Sequence, residues 1–332
     1  MPIVSGELKM YKSEVVSDAS TNGGAMSANE VVSNAASNLF PPVQQSERIA
    51  GGIKYRKFFY KNANDDDDEL FDPKIFLDQN TPGDDIMSFF PATQSDTQND
   101  ITGSERQYGG GVLAVSASTT DVTVQVLVED AQTINPFVIG DTVRITDKTD
   151  INDMTGNEEF VVLSDVQVDS NDVITLTFSP ALQNDYLSSN ARVQSVYEPA
   201  NIIASFDSLV VTAAGSGDFD GNFLFPDNIG GIEQTWTLTF TSATAFDIVG
   251  DTVGAVGSGT TGAGASPNNT DFSKPYFVMQ AAGFSGTFAA ADTIVFNTHP
   301  AAAPVWAKRT VPAGTNPLAN NTATFALQGE TA

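Results

Sequence analysis

Four oxygen-bearing side chains lie close together in the stretch GDFDGNFLFPDN, and their chemistry is that of a calcium site. They are Asp218, Asp220, Asn222 and Asp227. Hard oxygen ligands at alternating positions near a glycine can wrap one Ca²⁺ ion. The stretch departs from the EF-hand pattern, because Gly221 directly follows the second aspartate and no glutamate closes the loop. Two interpretations therefore stand, a structural calcium loop and a cluster of β-turns.

The single histidine, His299, is the one side chain that a Ser-His-Asp triad could use as its base. A zinc site built on histidines cannot be assembled from one. Pro300 follows it and favours extended backbone at His299. We therefore expect His299 at a strand end or turn, without a catalytic role. The chain has no cysteine, so thiolate chemistry, disulfides and cysteine zinc sites are excluded.

Five consecutive acids at residues 65–69 form a dense run of negative charge. Adjacent carboxylates repel one another unless cations or basic side chains lie near them. The run is predicted to be a solvated loop or, alternatively, to meet a Ca²⁺ ion or a basic patch of a partner. Basic side chains of the same region could pair with the run, within one chain or between copies. They are Lys54, Arg56, Lys57 and Lys61.

The other carboxylates do not indicate an enzyme. With 41 Asp and Glu residues chance pairs are certain, and a glycosidase needs two carboxyl groups at a defined separation in a sugar-binding cleft. Two tryptophans are too few to indicate a sugar platform, and no glycine loop stands in the context of a nucleotide site. We expect no catalytic activity and no cofactor other than the structural calcium considered above.

The net charge of −26 restricts the partners. Such a field repels phosphate at range, so we expect no sequence-specific nucleic-acid binding. Bases occur in some density only near the N-terminus, where they alternate with aromatic residues. No apolar run approaches the length of a membrane span, which favours a soluble protein without membrane contact.

The elements that must position these side chains are mostly strands. Residues 108–198 hold short β-type segments, separated by Gly, Asn, Asp and Pro clusters, at 112–115, 122–128, 142–146, 159–163, 173–178 and 191–196. This spacing predicts a central small antiparallel β-barrel or sandwich. Residues 199–332 continue the β pattern and predict a β-sandwich-like C-terminal domain, with a flexible or edge-lying loop at 254–269. The fold class is mainly β.

Residues 1–107 predict an N-terminal region with one short helix and extended strands. Ser27 and Glu30 have capping-box spacing, apolar residues recur every fourth position, and prolines follow, which predicts a helix at 28–39. Residues 53–61 predict a strand with aromatic residues on both faces. Residues 80–107 are polar and are predicted to form an arm that joins the N-terminal region to the central module.

The N-terminal text, GELKMYKSEVVSDASTNGGAMS followed by SNLFPPVQQSERIAGGIKYRKFFYKNANDDD, resembles uncharacterised virion structural proteins of tailed bacteriophages. The similarity is strongest to those of Mu-like transposable phages and related prophages. The segments DNIGGIEQTWTLTFTSATAF, KPYF and THPAAAPVWAKRTVPAG resemble the C-terminal half of the same family. The resemblance implies a particle component located in the virion, and it carries over no catalytic residues.

The resemblance and the composition together predict a non-enzymatic structural subunit, assembled as a ring or closed homo-oligomer with other virion proteins in the tail, baseplate or head–tail neck. A capsid decoration protein and a receptor- or carbohydrate-binding tail module are the alternatives. Aromatic side chains dominate both cores and interfaces. The residues expected to anchor one or the other are Tyr55, Phe58, Phe59, Trp236, Phe240 and Trp306.

Overall fold

The first strands of the chain build one half of a sheet. The structure is a computed structural model that describes residues 2–33, 35–129, 134–169 and 172–331. Strands β1 and β2 form a hairpin, β1 also pairs with β3, and one short helix α1 precedes β3. The bounds of these elements are β1 Leu8–Val15, β2 Gly23–Glu30, α1 Gln45–Ala50, β3 Gly52–Asn62, β4 Phe71–Gln79 and β5 Ile86–Pro91.

The helix predicted at 28–39 is wrong. Residues 28–30 belong to β2, and the rest of that range is turns and bends, apart from Asn34, which lies outside the described residues. Ser27 donates a hydrogen bond from Oγ to the Lys12 carbonyl at 2.9 Å, and the Val31 amide bonds the Met10 carbonyl at 2.7 Å. Pairing with β1 therefore overrides the local helix pattern. The α-helix lies instead at Gln45–Ala50, where the Gln44 amide donates to the Glu47 carboxylate.

The predicted polar arm at 80–107 is wrong in its first part. It contains strand β5, in which Met87, Phe89 and Phe90 are buried. A polar majority in the sequence hid this short apolar run. The remainder of the stretch is irregular and crosses the sheet that contains β3. The predicted aromatic strand at 53–61 is β3 itself, and it is buried on both faces from Arg56 onward.

Residues 110–195 form a closed barrel, with strand order β10-β7-β6-β11-β8-β9. Alternate side chains point inward and fill the interior, as the period of two requires; Val124, Val126, Ile174 and Leu176 are examples. The mainly β fold class with one small antiparallel barrel is thus confirmed. The strands are β6 Gly110–Leu113, β7 Thr123–Leu127, β8 Thr142–Thr146, β9 Glu158–Val168, β10 Val173–Ser179 and β11 Arg192–Ser195.

Residues 200–299 form a third unit, which we call the outer module. Its five-stranded sheet has the order β12-β22-β15-β16-β17, and an aromatic core lies on one face. Three two-stranded ladders accompany the sheet, so the predicted sandwich has one full sheet rather than two. The strands are β12 Ser205–Thr212, β13 Asp218–Phe219, β14 Leu224–Pro226, β15 Gln234–Phe240, β16 Ala245–Gly250, β17 Gly254–Thr260, β18 Asn268–Asn269, β19 Lys274–Pro275, β20 Phe277–Met279, β21 Phe284–Ser285 and β22 Thr293–His299.

The last strands return to the first sheet. Strand β23, Ala302–Val311, pairs with β3 along its whole length and with β5 on its other side. Strand β24, Thr324–Glu330, pairs with β4. The sheet β2-β1-β3-β23-β5, together with β4 and β24, is called the base below. The predicted C-terminal domain at 199–332 therefore ends too late, because residues from Ala302 onward complete the base.

Candidate functional site

The four candidate calcium ligands are not gathered around one point. The Asp220 carboxylate accepts the Asn222 amide at 2.9 Å, and Asp218 accepts the Phe219 amide at 2.9 Å. Asp227 accepts the amides of residues 229 and 230, which closes a separate turn. Within the described ranges, no group of three or more His, Cys, Asp or Glu side chains is arranged to hold a metal ion. The geometry matches the β-turn interpretation of this stretch.

The acidic run at 65–69 docks on the outer module. Asp65 pairs with Lys274, and the Asp67 carboxylate accepts the Asn228 amide at 2.7 Å. Burial raises the pKa of Asp67, although the bond from Asn228 opposes that shift. The Asn228 side chain donates in turn to the Asp68 carbonyl at 3.0 Å. The run is therefore a joint between the base and the outer module, and its basic partner is Lys274 rather than the predicted set.

Three of the four predicted basic partners pair elsewhere in the base. Lys54 bridges Asp18 and Glu47 at 3.0 and 2.9 Å. Arg56 also binds Asp18, and Lys57 binds Asp96 at 2.8 Å. Two of these contacts hold the turn before β2 and the irregular segment after β5 against β3. Strand β3, which carries these basic side chains, is thus the central strand of the sheet in the base.

A buried ion pair joins the barrel to the base. Arg144 on β8 and Asp78 on β4 are both fully buried, and their charged groups lie 2.7 Å apart. Gln194 accepts from Arg144 at 3.2 Å and donates to the Asp78 carbonyl at 3.1 Å. Arg144 also bonds Glu158, and its guanidinium lies 4.4 Å from the centre of the Phe76 ring. These contacts fix the barrel relative to β4.

His299 lies between two carboxylates on the outer module. It ends β22, and its Nδ1 lies 2.9 Å from Glu233, just before β15, while Nε2 lies 3.3 Å from Asp207 on β12. Burial alone would lower the pKa of His299, but the hydrogen bonds to Glu233 and Asp207 raise it above its usual value. Both ring nitrogens face acids, so the arrangement serves a charged histidine that ties three strands together.

This clamp predicts a pH dependence of stability. Because the folded pKa of His299 is raised, its contribution is complete below the unfolded pKa of about 6.5 and is lost as pH rises through the folded value. We expect a loss of about 0.5–1 kcal/mol, since the pair is partly exposed and screened. Unfolding followed by Trp236 fluorescence in a Trp306→Phe background measures it. The difference in unfolding free energy between the Trp306→Phe protein and its His299→Gln variant isolates the clamp, because other titrating groups contribute equally to both. This difference should shrink as pH rises, and a difference that does not change with pH would contradict the clamp.

Five of the six predicted anchors belong to the cores of this chain. Phe58, Phe59 and Trp306 are buried in the base, and Trp236 and Phe240 are buried in the outer module. Both buried indole N–H groups find an acceptor, as buried tryptophans usually do; they bind the buried Thr298 and the partly buried Asp96. Tyr55 is half-buried and packs edge-to-face on Phe90 at 6.2 Å.

The stretch at 254–269 begins as an edge strand. Strand β17 lies at the end of the outer module's sheet, and most of its side chains are exposed. The chain then turns at residues 261–264 and runs back along β20, where Ala265 bridges Met279. The expectation of an edge-lying segment therefore matches its first half.

The sequence analysis did not single out Asp78, Asp96 or Glu233. Each of these acids faces a basic side chain or the histidine: Arg144, Lys57 and His299, respectively. Arg144 stands between Val143 and Ile145 in an apolar strand, and such a charge needs a partner when buried. That signal indicates a buried pair but cannot say which of the many acids supplies it.

No family model, curated protein or solved structure matches this chain. None of the helices in the described part of the chain is long and apolar enough to cross a membrane. The site that the geometry does define is a set of joints among three β units: Asp78 with Arg144, and residues 65–68 with Asn228 and Lys274. The pair of Lys57 and Asp96 adds a contact inside the base.

Proposed function

We propose that this chain is a non-enzymatic structural subunit of a tailed-phage virion, forming a ring or closed oligomer in the tail, baseplate or neck. The observation that carries the proposal is the use of charged side chains as joints. The fully buried pair of Asp78 and Arg144 links the barrel to the base, and the acidic run links the base to the outer module. A subunit whose role is to hold neighbours at fixed positions requires such fixed angles between its units.

The arrangement of the chain also supports this role. The first and last strands, β1 and β24, lie in the base, and the barrel and the outer module are inserted into it as separate β units with their own cores. Each inserted unit can then present a surface to a different neighbour while the base holds their spacing. Oligomers of this kind close through repeated use of the same surfaces.

The test is the solution mass of the recombinant chain, measured by light scattering after size exclusion. We expect a closed oligomer several times the 35.0 kDa chain mass, with antibodies against the chain labelling the tail or neck of phage particles. A monomer together with unlabelled particles would overturn the proposal. Copy number separates the two particle roles, since hundreds per virion would indicate decoration and low tens would indicate tail or neck.

A receptor-binding tail module is the second candidate, favoured by one observation on the outer module. Residues 252–270 carry no charged side chain in a chain of net charge −26, and they include the exposed edge strand β17. An uncharged edge suits a neutral ligand such as a sugar, or the addition of a strand. Shortening the turn at 261–263 and finding unchanged adsorption of particles would remove this candidate.

A further inference from the structure

Lys61 on β3 is a buried amine without a hydrogen-bond partner. Its side chain is fully buried, and its Nζ bonds no acceptor in the described part of the protein. Lys57, on the same face of the same strand, contrasts with it, because that ammonium binds the Asp96 carboxylate and the carbonyls of Gly24 and Asp96. A buried ammonium without oxygen ligands is costly. Lys61 is therefore a feature that packing alone does not explain.

The cover over Lys61 comes from the outer module. Phe272 lies in the turn between β18 and β19, and its ring centre is 4.6 Å from the Lys61 Nζ. Tyr11 of β1 packs edge-to-face on the same ring at 5.5 Å. A ring face attracts a cation, but it replaces only part of the hydration that the ammonium loses. The Lys61 amine thus lies where the base meets the outer module.

The charges around Lys61 do not compensate its burial. On one side its register partner is Lys9 of β1, which pairs with Glu30 at 3.8 Å and so offers Lys61 no counter-charge, and on the other it is Ala302 of β23. The outer module contributes Asp227, Asp271 next to Phe272, and Lys274, which pairs with Asp65. Burial lowers the pKa of Lys61 to about 7, although the charge of Asp227 acts in the opposite direction. The amine therefore changes charge near neutral pH.

We propose that Lys61 and Phe272 form a pH-sensitive latch between the base and the outer module. With a neutral amine the turn at 270–273 is seated over Lys61, and with a charged amine the turn lifts and water reaches the ammonium. A groove of about 440 Å³ beside Phe272, lined also by Tyr11, Lys9 and Glu30, gives the ring room to move. The joints of the acidic run stay in place, so the opening is local.

The sign of the effect follows from linkage. In the lifted state Lys61 is in water and titrates near its ordinary value of about 10.5, whereas in the seated state it titrates near 7. Between these values the lifted state binds more protons, so the seated state gains stability as pH rises from about 7 to about 10.5. Below about 7 both states are charged and the bias toward lifting is complete.

Hydrogen exchange of the intact protein, read by mass spectrometry on peptides that cover residues 268–276, tests the latch. After correction for intrinsic exchange rates, protection should rise roughly 10-fold or more between about pH 6 and about pH 8.5. Lys61→Met keeps the length of the side chain and removes the charge, so this variant should be protected at both pH values. Lys9→Met removes the neighbouring charge and is the matched control, in which the pH dependence should persist.

Two outcomes would overturn the latch. One is protection in the unmodified protein that does not change with pH, and the other is a pH dependence in Lys61→Met equal to that of the unmodified protein. His299 is a second titrating group of the outer module, with a pKa raised by Glu233 and Asp207, so the measurement is repeated in His299→Gln, where the effect should remain. Phe272→Ala gives an independent readout, because it should abolish the protection at high pH while leaving the peptides of the barrel unchanged.

Discussion

Arg144→Met should lower the free energy of unfolding by about 3–5 kcal/mol, the range measured when one member of a buried ion pair is removed. Asp78 is fully buried, and within the described part of the chain its remaining basic partner would be Arg192, whose guanidinium lies 3.5 Å away. Gln194 would lose one of its two bonds in the same network. The cost arises mainly from the uncompensated Asp78 carboxylate rather than from a smaller side chain. Urea unfolding followed by far-ultraviolet circular dichroism measures it.

A matched control is available on the same strand as Asp78. Lys74 on β4 lies 3.9 Å from the exposed Asp72, and Lys74→Met should cost no more than about 1 kcal/mol. The double substitution Asp78→Leu with Arg144→Met should recover part of the loss, because it removes both members of the fully buried pair together. A single Arg144→Met variant as stable as Lys74→Met would show that the pair does not hold the barrel to the base.

The barrel could be predicted from sequence because its information is local. Val124, Val126, Ile174 and Leu176 alternate with polar residues, and turn residues separate the strands that carry them. Each strand of the barrel also pairs only with other strands of residues 110–195. Alternation and turn chemistry within a short stretch were therefore sufficient to indicate the fold class and this module.

The base could not be predicted because its pairing is remote. Strand β3 is completed by β23, and Trp306 finds its hydrogen-bond acceptor at Asp96, more than two hundred positions earlier. Nothing in the local pattern of β23 distinguishes a strand of the outer module from one that returns to the base. The failed helix at 28–39 has the same origin, since β1 supplies backbone partners that the isolated segment lacks.

The candidate site could be predicted to the same extent as the fold: its local contacts could be, and its remote contacts could not. Acidic groups with a local role, such as Asp220 and Asp227, could be identified as turn or ligand residues, and the structure uses both in turns. The groups that join units were visible in two forms, as the acidic run at 65–69 and as Arg144 inside an apolar strand. Their partners, Asp78 for Arg144 and Lys274 for Asp65, are remote in sequence, so the local pattern could not show which residues they meet.

Asp96→Ala should also cost about 3–5 kcal/mol, because three donors converge on one carboxylate in the base. It accepts from the Trp306 Nε1 at 2.8 Å and from the Thr93 amide at 3.1 Å, and it faces the Lys57 ammonium at 2.8 Å. Burial already lowers the pKa of Lys57 in spite of the Asp96 charge. Without the carboxylate, Lys57 keeps only carbonyl oxygens and Trp306 loses its acceptor.

The fluorescence of Trp306, measured in a Trp236→Phe background, reports the result. In Asp96→Ala its indole would lose the hydrogen bond, so both its emission wavelength and the unfolding midpoint should shift. Asp96→Asn retains an acceptor for Trp306 and removes only the charge, so it should cost less than Asp96→Ala. Asp100→Ala is the control in the same segment, because that carboxylate is exposed and its bonds are local, to Thr97. Equal effects of Asp96→Ala and Asp100→Ala would mean that the segment is held by its backbone alone. A larger effect of Asp96→Ala that Lys57→Met partly reverses would locate the cost at the buried ammonium.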